Sequence, residues 1–259
     1  EKYFSKMGAC GCGGVTKISN DQLERARITK QINLVDKKYR NIPDEIWDLG
    51  NLTIIDLSQN ELTHFDNIEA LQLKKFKLNY NRFSVIPTNI LKLKYLEVLE
   101  LNNNDMEYLP THLFELPKLK ILSLKYNKIS GMDINPYNVK KLQEIDLSNN
   151  NIVELPDSFC ELKSLKIVDL CDNQLMRLPK LWDKMTGLQI IKLENNKLKS
   201  IPKSLFVDTN VIRIDMKGNP IYNNQGYVHL PGFDEFSSRH RQNFDKGFKQ
   251  SADRGNHFM

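Results

Sequence analysis

The chain has 259 residues, of which 40% are apolar and 27% charged, with 37 Lys and Arg against 32 Asp and Glu and a formal net charge of +5. That composition belongs to a folding chain long enough for one large domain or two small ones. It contains no apolar run of about 18 residues, so no membrane-spanning helix is predicted, and no segment reads as a secretory signal. A charge this small and dispersed gives no argument for nucleic acid. The cysteines, at positions 10, 12, 160 and 171, form neither a disulfide framework nor a metal cage, which predicts a reducing, intracellular compartment.

The basic excess is local. Residues 15–40 carry seven basic side chains against Asp21, Glu24 and Asp36, whereas residues 41–225 carry 23 basic and 24 acidic groups. Ahead of the basic stretch stands Met7-Gly8-Ala9-Cys10-Gly11-Cys12-Gly13-Gly14. With Met7 as initiator, Gly8 becomes the acyl acceptor of a myristoylation-like sequence, with Cys12 where Ser or Thr is usual. Cys10 and Cys12 are then candidates for palmitoylation, and a second acyl chain or the basic stretch is needed for firm attachment. The competing reading is a plain Gly/Cys arm, which the six residues before Met7 favour if they belong to the mature protein. Asn20-Asp21-x-x-Glu24 next reads as the start of a capping helix with a capping-box-like pairing. Leu23, Ala26 and Ile28 are its expected apolar side.

From there the chain repeats itself. Leu96-x-x-Leu99-x-Leu101-x-x-Asn104-x-Met106-x-x-Leu109-Pro110 returns with anchors at Asn60, Asn81, Asn104, Asn127, Asn150, Asn173, Asn196 and Asn219, one interval of 21 residues and then six of 23. A degenerate copy with Lys37 in the anchor place lies 23 residues before Asn60, making nine turns. The pattern is identified as the leucine-rich repeat. In Leu99-x-Leu101 the period is two, so both leucines point inward and Glu100 outward. Stacked turns pair such short strands into a parallel ladder roughly 40 Å long. Each anchor amide both donates and accepts, and so can satisfy the backbone groups that a buried turn would orphan.

The second half of the repeat is equally regular. Pro43, Pro87, Pro110, Pro156, Pro179 and Pro202 stand six residues after their anchors and predict the first position of a short helical or 3₁₀ turn. Apolar residues follow three further on (Ile46, Ile90, Leu113, Phe159, Trp182, Leu205) and, in most turns, six further on. Asp66 and Asp133 replace the proline in two turns, where irregularity is expected. Phe233, Phe236, His240, Phe244 and Phe248 then mark one face of a C-terminal helix closing the array. The expected architecture is an α/β leucine-rich-repeat solenoid: a curved parallel sheet of about nine short strands, a convex side of 3₁₀ turns and loops, and helical caps. Its divisions are an arm and capping helix over 1–29, nine repeats over 30–225, and a cap and tail over 226–259.

No catalytic constellation is present. The histidines (64, 112, 229, 240 and 257) fall in unrelated turns, Cys10-x-Cys12 has no second pair, and Gly11-Cys12-Gly13-Gly14 is no phosphate loop. A non-enzyme without cofactor or metal is expected. The fold offers instead a concave sheet face, whose central row runs Asn33, Asp56, Lys77, Glu100, Ser123, Asp146, Asp169, Lys192, Asp215. Charges alternate through Asp56, Lys77 and Glu100 but turn one-signed at Asp146 and Asp169, with Glu144 and Asp172 beside them. The bland reading is a solvated face; the functional one is a recognition patch for a basic or hydrogen-bonding protein segment, and Ile54, Val98, Ile121, Ile167 and Ile190 read either as its apolar border or as the flank of the core.

With repeats, arm and the terminal Gly232-Phe233-Asp234-Glu235-Phe236 helix together, the chain resembles, over roughly residues 7–248, the short leucine-rich-repeat-only proteins. The resemblance implies a non-enzymatic, cytoplasmic, membrane-peripheral adaptor with Gly8 as acyl acceptor, and it transfers no binding residues. Two roles stay open: a signalling adaptor for a small GTPase or phosphatase, and a structural subunit of a large cytoskeletal or organellar assembly.

Overall fold

The computed structural model describes residues 17–65, 68, 72–135, 141–223 and 229–239. Helix α1 (Asn20–Thr29) opens it. Its N-cap is Ser19, one residue earlier than expected: the Ser19 hydroxyl accepts from the Gln22 amide at 3.3 Å, and Gln22 Oε1 accepts from the Ser19 amide at 3.2 Å. Ala26 is buried and Leu23 packs on the core, but Ile28 is 80% exposed. Positions 23 and 26 share a helix face, and Ile28 lies two residues, more than half a turn, round from it. Lys30 ends the helix in the left-handed region and passes the chain into the sheet.

Nine parallel strands follow in chain order: β1 (Gln31–Asn33), β2 (Ile54–Asp56), β3 (Lys75–Lys77), β4 (Val98–Glu100), β6 (Ile121–Ser123), β8 (Glu144–Asp146), β9 (Ile167–Asp169), β10 (Ile190–Lys192) and β11 (Arg213–Asp215). The middle residues of the first eight, from Ile32 to Ile191, are buried, while first and third residues face outward. Register passes without a slip from Asn33 opposite Asp56 to Lys192 opposite Asp215. It holds even across the short turn, where Ile55 faces Phe76. Phe65 fills that turn, its ring 5.7 Å from Phe76 and 5.8 Å from Phe83.

Behind the sheet run 3₁₀ turns at Asp44–Leu49, Thr88–Lys92, Thr111–Glu115 and Asp157–Glu161, and helix α2 (Lys203–Val207). The prolines do not occupy the first helical position as expected. Pro43, Pro87, Pro110, Pro156 and Pro202 are the caps one residue ahead, with extended ψ of 136–151°. There the carbonyl accepts from the amide three residues on, as Pro156 does from Phe159 at 2.9 Å. Pro179 differs: its carbonyl accepts at 2.8 Å from the indole Nε1 of Trp182, and no 3₁₀ turn forms. Asp66 lies outside the described residues. In the turn of Asp133 the chain forms β7 (Gly131–Met132), which pairs in parallel with β5 (Tyr108–Leu109) in a second, two-stranded sheet. Gly131 suits that pairing because a Cβ there would stand 3.2 Å from the Tyr108 ring.

At the far end come α3 (Pro220–Asn223) and a helical stretch over 233–239. Phe233 and Phe236 pack on Phe206 with ring centroids 5.9 and 5.6 Å away, and the Arg239 guanidinium donates to the carbonyls of Phe206 and Thr209. His240, Phe244 and Phe248 lie outside the described residues.

The anchor asparagines hold consecutive turns together. Asn150, 6% exposed, donates through Nδ2 to Leu147 and Ser148 of its own turn and to Leu124 of the turn before, at 3.0–3.2 Å. Its Oδ1 accepts from the amide of Ile129, again in the turn before, at 2.9 Å. Asn104, Asn127, Asn173 and Asn196 repeat this set. Asn60 makes it with the turn of Lys37, accepting from the Tyr39 amide at 3.0 Å. The Lys37 turn follows α1 and has no earlier turn to reach, which is why a lysine is tolerated there.

The residue before each anchor is left-handed in every turn: Asp36, Gln59, Tyr80, Asn103, Tyr126, Asn149, Asp172 and Asn195 have φ of 54–58°, and Gly218 has 78°. A Cβ at Gly218 would come within 2.2 Å of Asn195 Oδ1, so glycine leaves room there for that side chain.

Replacing Asn150 with Leu leaves the buried Ile129 amide without a partner, at about 1–3 kcal/mol, and takes one hydrogen bond from the carbonyls of Leu124, Leu147 and Ser148, which keep Asn127 Nδ2, Asn173 Nδ2 and the Tyr126 amide. The expected outcome is a lowered urea midpoint with the sheet intact by circular dichroism; an unchanged midpoint contradicts the bridging role.

Candidate functional site

The outward positions of the nine strands make two rows on one face, and the residues two beyond the strand ends add a third. The first runs Gln31, Ile54, Lys75, Val98, Ile121, Glu144, Ile167, Ile190, Arg213. Its isoleucines and Val98 are only partly buried, so they form an apolar border. The central row is the one expected, Asn33 through Asp215, and a third row follows two residues on, Val35, Ser58, Asn79, Asn102, Lys125, Ser148, Cys171, Glu194 and Lys217, of which Ser58, Ser148 and Cys171 are buried.

Cross-strand pairs cover much of the charge. Lys77 Nζ lies 3.4 Å from Asp56, Lys75 lies 2.7 Å from Glu100, and Lys192 lies 2.8 Å from Asp169. Asp169 is therefore not part of an uncompensated acidic group: the register sets Lys192 directly opposite it. Asp146 and Glu144 make no ion pair among the described residues. Asp146 Oδ1 accepts instead from the Ser148 amide at 3.0 Å and its hydroxyl at 2.7 Å. Asp172 is not on a strand but in the left-handed position at the exit, where Oδ1 accepts from Asn195 Nδ2 at 2.8 Å. Gly8, Cys10 and Cys12 lie outside the described residues.

Aspartate and asparagine in the central row do a second job. Oδ1 of Asn33, Asp56, Asp146 and Asp169 accepts from the amide two residues on, turning the chain out of the strand. Where the central row holds Glu100 or Ser123, a third-row asparagine of the preceding turn substitutes: Asn79 accepts from the Asn102 amide at 2.9 Å, and Asn102 from the Lys125 amide at 2.8 Å. These carboxylates thus serve the fold and face outward at once.

Burial raises the Asp169 carboxyl, but hydrogen bonds from Lys192 and the Cys171 amide outweigh it and hold the carboxyl below its ordinary range. The same pairing raises Lys192. A depressed Asp169 adds stability above its unfolded pKa that is lost as pH falls through the folded value. A raised Lys192 adds stability that is lost only as pH rises through its folded value. The pair is accordingly intact across neutral pH. Cys171 is buried beside it, its thiol pushed well up by burial and by Asp169, and burial pushes Cys160 on the convex side up to about 12. Neither is a reactive thiolate at neutral pH. Among the described residues no group of three His, Cys, Asp or Glu could hold a metal, and no helix is long and apolar enough to cross a membrane.

The leucine-rich repeat family model matches residues 71–129 and 133–175. A leucine-rich-repeat protein of Leptospira interrogans superposes with a TM-score of 0.68 at 26% identity, over 76% of this chain and 58% of that one. This is the leucine-rich-repeat fold. The Volume-regulated anion channel subunit LRRC8E of Xenopus tropicalis is 33% identical over 90 residues, a third of this chain, and that of Xenopus laevis matches over the same length at the same identity. The chain spans only 11% of those two curated relatives and less than two thirds of the Leptospira protein. Leucine-rich-repeat solenoids are in general protein-binding modules.

Lys192→Met removes the cation beside Asp169 while keeping the stem that covers the sheet. In an NMR titration the Asp169 carboxyl is expected to move upward, with acid unfolding beginning at higher pH. An unmoved titration would mean that the Cys171 amide, not the lysine, sets its pKa.

Proposed function

We propose that this leucine-rich-repeat solenoid is a non-catalytic adaptor that binds a protein partner on its concave face. The observation that carries the reading is the pair Glu144 and Asp146. They are the first- and third-position carboxylates of one strand, make no ion pair among the described residues although Lys192 acts on Asp146 from farther off, and stand on a sheet held rigid by the asparagine bridges. Carboxylates exposed together repel one another unless something basic covers them, and a preorganised sheet presents them without ordering cost. The partner is a protein segment bearing Lys or Arg. Asp56, Lys77, Glu100, Asp169, Asp172 and Lys192 extend the surface to either side, with the isoleucine border supplying apolar contact. A small GTPase, a phosphatase or a subunit of a large assembly would each meet this description. Co-purification with an insoluble assembly would favour the structural role over signalling.

Glu144→Gln together with Asp146→Asn, which keeps the Oδ1 acceptor for the Ser148 amide, is expected to weaken capture of the native partner and to flatten its salt dependence, with the far-ultraviolet spectrum unchanged. Wild-type affinity and salt response in the double variant would move the contact to the convex side, an edge or a cap.

The finer reading, a membrane-peripheral member of the short leucine-rich-repeat-only proteins such as leucine-rich repeat-containing protein 57, is supported by Met7–Gly14 and the basic residues after Val15. Acylated at Gly8, with Cys10 or Cys12 carrying a second chain, the arm would hold the solenoid at an anionic cytoplasmic membrane surface. The native protein is then expected to carry an acyl mass on Gly8, and Gly8→Ala to release it to the soluble fraction. Detection of unmodified Glu1–Lys6 on the native protein overturns this.

A further inference from the structure

The left-handed position before each anchor is occupied mostly by residues that tolerate it, namely Asn, Asp and Gly. Two turns place a tyrosine there instead, Tyr80 with φ of 54° and Tyr126 with φ of 55°. Neither ring is buried: Tyr80 is 55% and Tyr126 50% exposed. A bulky side chain in this backbone conformation costs stability relative to the asparagine found in neighbouring turns, and here no core packing offsets the cost. The rings stand two turns apart on the edge where the chain leaves the strands, with Asn103 between them.

The spacing is set by the backbone. The Tyr80 amide donates to the Asn102 carbonyl at 2.8 Å, the Asn103 amide to Lys125 at 2.8 Å, and the Tyr126 amide to Ser148 at 3.1 Å. The parallel ladder therefore continues through this row, and two strand spacings separate the tyrosine backbones by ~9.6 Å. A polyproline II helix repeats every three residues, about 9.3 Å. The tyrosine backbones are thus spaced to match successive turns of such a segment. Between them, no hydrogen bond among the described residues engages the Asn103 side-chain amide, and the Asn102 amide uses only its oxygen. Both amide nitrogens are available to donate to carbonyls of a backbone that has no internal hydrogen bonds. Lys125 completes the row, its ammonium 5.0 Å from the Tyr126 ring centroid. It makes no ion pair among the described residues, so it favours an acidic residue at that end.

We infer that Tyr80, Asn103, Tyr126 and Lys125 form a docking ridge for a proline-rich protein segment in the polyproline II conformation, with an acidic residue following the prolines. Aromatic rings flanked by side-chain donors are the general means of reading such segments. The ridge shares Asn102 and Lys125 with the third row but uses none of the carboxylates argued above, so either reading can fail without the other.

The test uses the full chain and a synthetic peptide of eight prolines followed by two glutamates, with calorimetry and backbone NMR shifts as readouts. Saturable binding is expected, with shifts centred on residues 80–82, 102–104 and 125–127. Tyr80→Asn and Tyr126→Asn should each weaken binding at least fivefold, and together abolish it. Both should raise the urea midpoint, because asparagine suits the left-handed backbone better; this opposite sign separates loss of the ridge from loss of the fold. Lys125→Met should weaken the glutamate peptide but not a ten-proline control. The proposal is overturned if no binding appears at millimolar peptide, if an alanine–glutamate peptide of equal length binds as well, or if the asparagine variants bind unchanged.

Discussion

The asparagine bridge is the interaction on which the rest of this molecule depends. A strand of three residues buries one side chain and cannot hold its own position, and the turn after it must run through the interior with its polar groups away from water. One amide per turn meets both needs, because it bonds to its own carbonyls and to the carbonyl and amide of the turn before. Stability is then a sum of links between neighbours, as expected for a solenoid. The ends are closed differently, by the Ser19-capped helix over the first turn and by Phe233, Phe236 and Arg239 over the last.

The same links explain why the concave face is suited to recognition. Its side chains stand on a lattice whose register never slips, so their relative positions are settled before a partner arrives. Several of them also turn the chain. Asp146 and Asp169 accept backbone amides at the strand exit while facing outward, so a residue there answers to folding and to surface chemistry together. An aspartate in that row is on that account weaker evidence of binding than a glutamate such as Glu144, which does no turning.

Most of this architecture was legible in the residues. The anchor spacing located nine strands and their register, and the period of two separated inward from outward positions. What escaped had a physical reason in each case. The capping box moved to Ser19 because Ser19 and Gln22 satisfy each other, a pairing equal in spacing to several others nearby. The prolines shifted by one residue because their carbonyl, not their missing amide, is what the turn uses. Strands β5 and β7 were invisible because a parallel pair of two residues leaves no period to detect. Lys192 was placed in the right row, but its reach across to Asp169 depends on a rotamer. The left-handed row could have been found: the residue before each anchor includes Asn, Asp and Gly often enough to announce the backbone, and Tyr80 and Tyr126 then stand out as exceptions.

The turn between Asn60 and Asn81 is shorter than every other, yet its strand pairs in the common register and its anchor still reaches the carbonyl of Leu57. All of the missing length was taken from the convex half, where Phe65 closed the gap. Chain length is thus a free variable on one side of the solenoid and a fixed one on the other. Insertions and deletions that persist over evolution should collect between the anchor and the following strand on the outer wall. The inner wall would then change only by substitution, or by gaining and losing whole turns, so a partner long as the array would meet a surface whose dimensions come in steps of one strand.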